Sequence, residues 1–136
     1  MSWNKNDLIP EKEIQEKVTD VTVRFAERFG MYLAEKEGIA EPLTTSQLRK
    51  FFGEVKRQQM VGYNETSFVM LKPKLAYAVG RAKNGKDKPK KIEDFYFVLA
   101  DAIEKVGRSQ DKQKAFKNFI SIFEAIVAYH KVAEKK

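Results

Sequence analysis

The chain has 136 residues, 43% of them hydrophobic and 12% aromatic, with ten Phe, a composition that fits one packed domain over 1–136 and argues against disorder. It has no Cys, which excludes disulfides and Cys-ligated metals and permits a reducing compartment. With 26 basic and 19 acidic side chains its net charge is +7.

The predicted elements are all helical, about five in one compact bundle. Pro10 and the acidic Glu11 and Glu13 suit the start of a long first helix over 11 to about 37. Ile14, Val18, Val21, Phe25, Phe29 and Leu33 would form its apolar face, Gly30 a weak point inside it and Gly38 its stop. Thr44 and Gln47 fit a capping box opening a second helix to about residue 60, whose apolar face is Leu48, Phe51, Phe52 and Val55. Asn64 is a candidate cap for a third helix that must bend or restart near Pro73, with Phe68, Leu71, Leu75 and Val79 inward. Residues 84–91, NGKDKPKK, form an exposed loop. A fourth helix over about 92–107 buries Phe95, Val98, Leu99, Ala102 and Val106 and ends at Gly107. A fifth over about 111–133 aligns Phe116, Phe119, Ile120, Phe123 and Val127. No stretch alternates strictly enough for a strand.

Charge is unevenly spread along these elements. Residues 1–43 carry a net −3, residues 44–91 a net +9 and residues 92–136 a net +1. A concentrated basic block points to a polyanion partner, where a uniform excess would not. The opening MSWNKNDLIPEKEI has no apolar run of signal-peptide length, and no window approaches the roughly 18 apolar residues of a membrane span. The expectation is a soluble, cytoplasmic protein with no membrane association.

Within the block, a wheel of about 100° per residue puts Arg49, Lys50, Lys56 and Arg57 inside about 120° of one another, opposite the apolar face of the second helix. Gly53 lies in the middle of that stripe, where a small residue would admit a phosphate close to the backbone. The plainer reading is a solvated charged face that tolerates a glycine. After Pro73, Lys74, Tyr77 and Arg81 share a face at i, i+3 and i+7. Cations hold a phosphate backbone, and a tyrosine ring can stack on an unpaired base. Tyr77 could equally pack its ring in the core and send its hydroxyl to solvent. Lys83, Lys86, Lys88, Lys90 and Lys91 extend the patch by charge.

Catalysis finds little support in the residues. The single His130 lies on the apolar stripe of the fifth helix, where a lone histidine is most often a core-edge residue making one hydrogen bond. Neither a second His nor a Cys accompanies it. Glu93 and Asp94 stand where carboxylates suit a helix start and are a weak candidate for a metal-dependent nuclease. There is no P-loop and no GxGxxG. No cofactor is expected.

Three segments carry a family resemblance: TTSQLRKFFGEVKR (44–57), MLKPKLAYAVGRAK (70–83) and FKNFISIFEAIVAYHK (116–131). They resemble the small helical subunit of type III-A CRISPR effector, or Csm, complexes. The Lys-Pro-Lys-Leu-Ala-Tyr run followed by Gly-Arg is the most specific part, and the first 40 residues add little. The resemblance implies a helical bundle without an active site. Copies of it line up as the inner filament beside backbone subunits, and they support the duplex of guide RNA and target RNA, mainly through sequence-independent phosphate contacts. The implied partners are those RNAs, the backbone and large Csm subunits, and further copies of itself, in an antiviral and anti-plasmid role. Carried over by motif, its basic positions fall on Arg49, Lys50, Lys72, Lys74 and Arg81. Apolar surface on the first and fifth helices would allow a homodimer when the chain is isolated.

Two other classes compete. A helical DNA-binding regulator would use the second and third helices as a helix-turn-helix, against which stand Pro73 and the scarcity of base-reading Asn or Gln. A helical protein-interaction adaptor would carry its lysines for solubility alone.

Overall fold

A computed structural model describes residues 3–36, 42–83 and 90–134, the side chains of Lys83 and Lys90 excepted. Among the described residues every regular element is helical: α1 Glu11–Gln15, α2 Asp20–Ala34, α3 Thr45–Val61, α4 Glu65–Val69, α5 Leu71–Lys83, α6 Lys90–Gly107 and α7 Lys112–Glu134. Five are long, as expected, and α1 and α4 are short additions of five residues each.

The expected first helix is two helices. The chain leaves α1 at Glu16 and re-enters at Thr19, whose hydroxyl accepts from the Val21 N–H as the cap of α2. Buried Glu13 makes the break. Its carboxylate accepts from the backbone N–H and the hydroxyl of both Thr19 and Thr22, at 2.7–3.1 Å. A helix start has N–H groups with no intrahelical partner, and a buried carboxylate supplies acceptors and favours the positive dipole end. The new phase at the break also turns Val21 out to 41% exposure, while Ile14, Phe25, Phe29 and Leu33 are buried.

The caps of α3 and α4 follow the expected chemistry. Thr44 and Gln47 form the capping box, and the Asn64 side chain accepts from the Ser67 N–H at 2.9 Å. The interruption expected near Pro73 falls at Met70 instead. Pro73 is then the third residue of α5, within the first turn, where its missing N–H deprives no carbonyl.

α7 is the central element, packed most extensively on α2 and also against α3, α1 and α6, while α5 pairs with α6. Its apolar stripe is wide enough to serve several neighbours: Phe116, Phe119, Ile120, Ile122, Phe123 and Ile126 are all buried. Aromatic contacts run from α4 across α7 to α3 and α6. The Phe68 ring meets Phe119 edge-on at 5.1 Å, and Phe123 lies 5.0 Å from Phe52 and 5.8 Å from Phe95. Gly30 lets α2 approach α7 closely, because a Cβ there would stand 2.8 Å from the backbone N of His130 and the backbone O of Ile126. His130 is buried among these contacts, its Nε2 2.5 Å from the carbonyl of Leu43.

Candidate nucleic-acid interface

The basic faces of α3 and α5 stand across a groove of about 860 Å³. The capping box fixes where α3 begins, and buried Leu48 and Val55 anchor one side of it in the core. Lys50, Gly53 and Arg57 are thereby turned toward the groove. On α5, buried Leu71 and Leu75 face inward and set Lys74, Tyr77 and Arg81 on the opposing wall. The floor is apolar, formed by Phe51, Leu75, Ala78, Ala82, Ile92 and Phe95. Phe51 is pinned there by an edge contact with Phe95, ring centres 6.0 Å apart.

Among the described residues one carboxylate belongs to this wall. Glu54 accepts from Arg57 at 3.2 and 2.7 Å, and its Oε2 lies 3.4 Å from Lys74 Nζ across the groove. The Arg57 and then the Gln58 hydrogen bonds, aided by the Lys74 charge, hold its carboxyl down to about 2 against the opposing effect of burial. Glu54 is therefore ionised, and it fixes two of the cations in place. Lys50 and Arg81 have no ion pair among the described residues. The Arg81 guanidinium lies 6.0 Å over the Tyr77 ring, and Tyr77 is 69% exposed, so its ring is not in the core. The reading of Tyr77 as a buried ring with a solvated hydroxyl is thereby set aside. Gly53 has nothing within 4 Å of where a Cβ would be, so the helix backbone is open to an approaching group.

Other sequence-identified cations lie elsewhere. Arg49 is exposed on α3 outside the groove, and Lys56 folds over the Phe52 ring at 5.8 Å. Lys72 reaches across to Glu104 of α6 at 3.0 Å. Lys86 and Lys88, and the side chains of Lys83 and Lys90, lie outside the described residues. Lys91 is a correction. It is fully buried, donating to the Tyr32 carbonyl at 2.7 Å with its ammonium 3.4 Å from the Tyr32 ring centre. The Tyr32 carbonyl, in the last turn of α2, also accepts from the Glu35 N–H at 3.3 Å, and Lys91, on the first turn of α6, adds a charged donor to it. Counting charge along the chain could not separate this lysine from its neighbours.

The residues missed from sequence are Glu54 and the apolar floor. The i, i+3 spacing of Glu54 and Arg57 was a signal for their pairing, but the approach of Lys74 depends on how α3 and α5 pack. Asp94 accepts from the Tyr32 hydroxyl, a contact between α6 and α2. Among the described residues no three or more His, Asp or Glu side chains group as metal ligands, and no helix is long and apolar enough to cross a membrane.

A family model described as Csm2 Type III-A matches residues 16–136. Neither the comparison with curated proteins nor that with solved structures gave a match. The matched span takes in α2 to α7 and both walls of the groove.

Proposed function

We propose, for a chain that belongs to the Csm2 family and so is a small subunit of the type III-A Csm complex, that the α3–α5 groove holds the phosphate backbone of guide or target RNA. The observation that carries this reading is the convergence of Lys50, Arg57, Lys74 and Arg81 from two helices onto one groove that, among the described residues, contains a single carboxylate, Glu54. Such an arrangement attracts a polyanion and leaves no set of donors and acceptors fitted to a base sequence. Sequence independence suits a subunit whose complex takes its specificity from a guide. The protein's part is to support the RNA without catalysis, beside the other Csm subunits and further copies of itself. Four cations per copy give weak, salt-sensitive binding, and neighbouring copies along one RNA raise it through effective concentration.

The test is a salt series of RNA binding by the full chain and by its Lys50/Arg57/Lys74/Arg81→Ala variant, with two unrelated strands. Affinity should fall equally for both strands. The slope of log affinity against log salt should flatten by up to about 0.7 for each phosphate left without its cation. Unchanged affinity and slope, with helicity intact by circular dichroism, would refute the assignment.

A further inference from the structure

A groove that met only phosphates would not need an apolar floor. Phosphates are best served by cations and N–H groups on an open polar face, and apolar surface beneath them gains nothing from their approach. Here the cations stand on the rims, while Phe51, Leu75, Ala78 and Phe95 line the bottom. The volume, about 860 Å³, falls within the roughly 300–1,000 Å³ of sites that enclose small molecules, which are typically apolar with a few placed polar groups. Tyr77 stands on the wall at 69% exposure, its ring open to a stacking partner.

We propose that the groove seats the base of an unpaired RNA nucleotide against Tyr77 and the apolar floor, while Lys50, Arg57, Lys74 and Arg81 hold the flanking phosphates. This rests on the reading of the groove as an RNA site and specifies what that site takes: a single-stranded nucleotide and not the outside of a duplex. The occupant is chosen by charge and shape together. A polyanion alone would not use the floor, and an apolar peptide would not use four cations. A nucleotide in an unpaired strand presents an anionic backbone and a flat apolar face within one residue. Every base has such a face, so the contact remains sequence-tolerant. Arg81, already over the Tyr77 ring, keeps the phenol in place and adds its own charge next to the stacked base.

The experiment compares the full chain with Tyr77→Ala and Tyr77→Phe on three probes: a short single strand of mixed sequence, the same strand with abasic sites, and its duplex. A 2-aminopurine in the intact strand reports stacking. The native chain should favour the intact strand over the other two and quench the fluorophore. Tyr77→Ala should weaken binding to the intact strand on the order of tenfold, leave the abasic strand unaffected, keep the salt slope and abolish quenching. Tyr77→Phe should restore both affinity and quenching. Equal affinity for intact and abasic strands, or a Tyr77→Ala loss that is the same on both, would overturn the base site. That result would still leave the phosphate reading standing, because the salt slope of the cation variant tests it separately. Tyr77 is exposed, so the variants keep the fold, and circular dichroism checks this.

Discussion

Glu54 grips Arg57 with both carboxylate oxygens, at 3.2 and 2.7 Å, inside a groove whose other charged lining residues, among those described, are the cations Lys50, Lys74 and Arg81. The pair orders the Arg57 side chain, and it also cancels part of the positive field that an RNA would meet. Unit charges a few ångströms apart in water interact by about 1 kcal/mol. Glu54→Gln is therefore expected to tighten RNA binding about fivefold at low salt and to steepen the salt slope, read by anisotropy. Weaker binding would mean that the carboxylate matters more for aiming Arg57 and Lys74 than for neutralising them.

Glu13 governs the junction of α1 and α2. Burial pushes its carboxyl up, but the hydrogen bonds from Thr22 and Thr19 outweigh that and hold it below the ordinary value. A depressed folded pKa stabilises the fold above the ordinary carboxylate range, and that stability is lost as the pH falls through the depressed value. Glu13→Ala should cost about 2 kcal/mol near neutral pH, since it strands donors at the start of α2. Glu13→Gln should cost less and should also flatten the acid limb of a stability–pH curve measured by urea unfolding. A curve parallel to that of the native chain would show that Glu13 is not the titrating group.

Two glycines in long helices should respond with opposite signs. Gly30→Ala would place a Cβ 2.8 Å from the α7 backbone, where nothing flexible can yield, so α2 and α7 must separate. Overpacking of this kind costs about 1–3 kcal/mol despite the gain in helix propensity. Gly53→Ala meets open space and should stabilise the chain by up to about 1 kcal/mol. Thermal unfolding of the two variants measures both signs. If a phosphate approaches the backbone at Gly53, that variant should also bind RNA more weakly although its fold is firmer.

Lys91 separates a basic residue that acts on the fold from those that face an anion. Lys91→Met removes the charged donor to the Tyr32 carbonyl, leaving the Glu35 N–H, and the cation on the Tyr32 ring. A loss of about 2 kcal/mol in stability is expected, with no change in the salt slope of RNA binding. A flatter slope in a variant that remains folded would put Lys91 back on the interface.

Much of the framework was legible in the chain. The capping box at Thr44, the Asn64 cap, the end of α6 at Gly107 and most buried positions of α6 and α7 depend on residues within a few positions of one another. The basic stripe on α3 and the shared face of Lys74, Tyr77 and Arg81 were legible for the same reason, since helical periodicity alone places them. The split between α1 and α2 was not, because Glu13 satisfies the start of the next helix only after the chain has turned back on itself. Gly30 read as a flaw in its own helix; its role exists only where α7 crosses it.

By itself, then, the sequence determined an all-helical chain, its caps, its apolar stripes and the block that holds the net +9. These are properties of neighbours along the chain, governed by backbone hydrogen bonding and a fixed helical period. The tertiary structure decided which cations meet. Packing of α5 on α6 and of α3 on α7 brings Lys50 and Arg57 opposite Lys74 and Arg81, leaves Arg49, Lys56 and Lys72 outside the groove, and draws Lys91 into the core. The reason is physical: charge along a chain is a sum, whereas a site depends on distances that only the packed core can set.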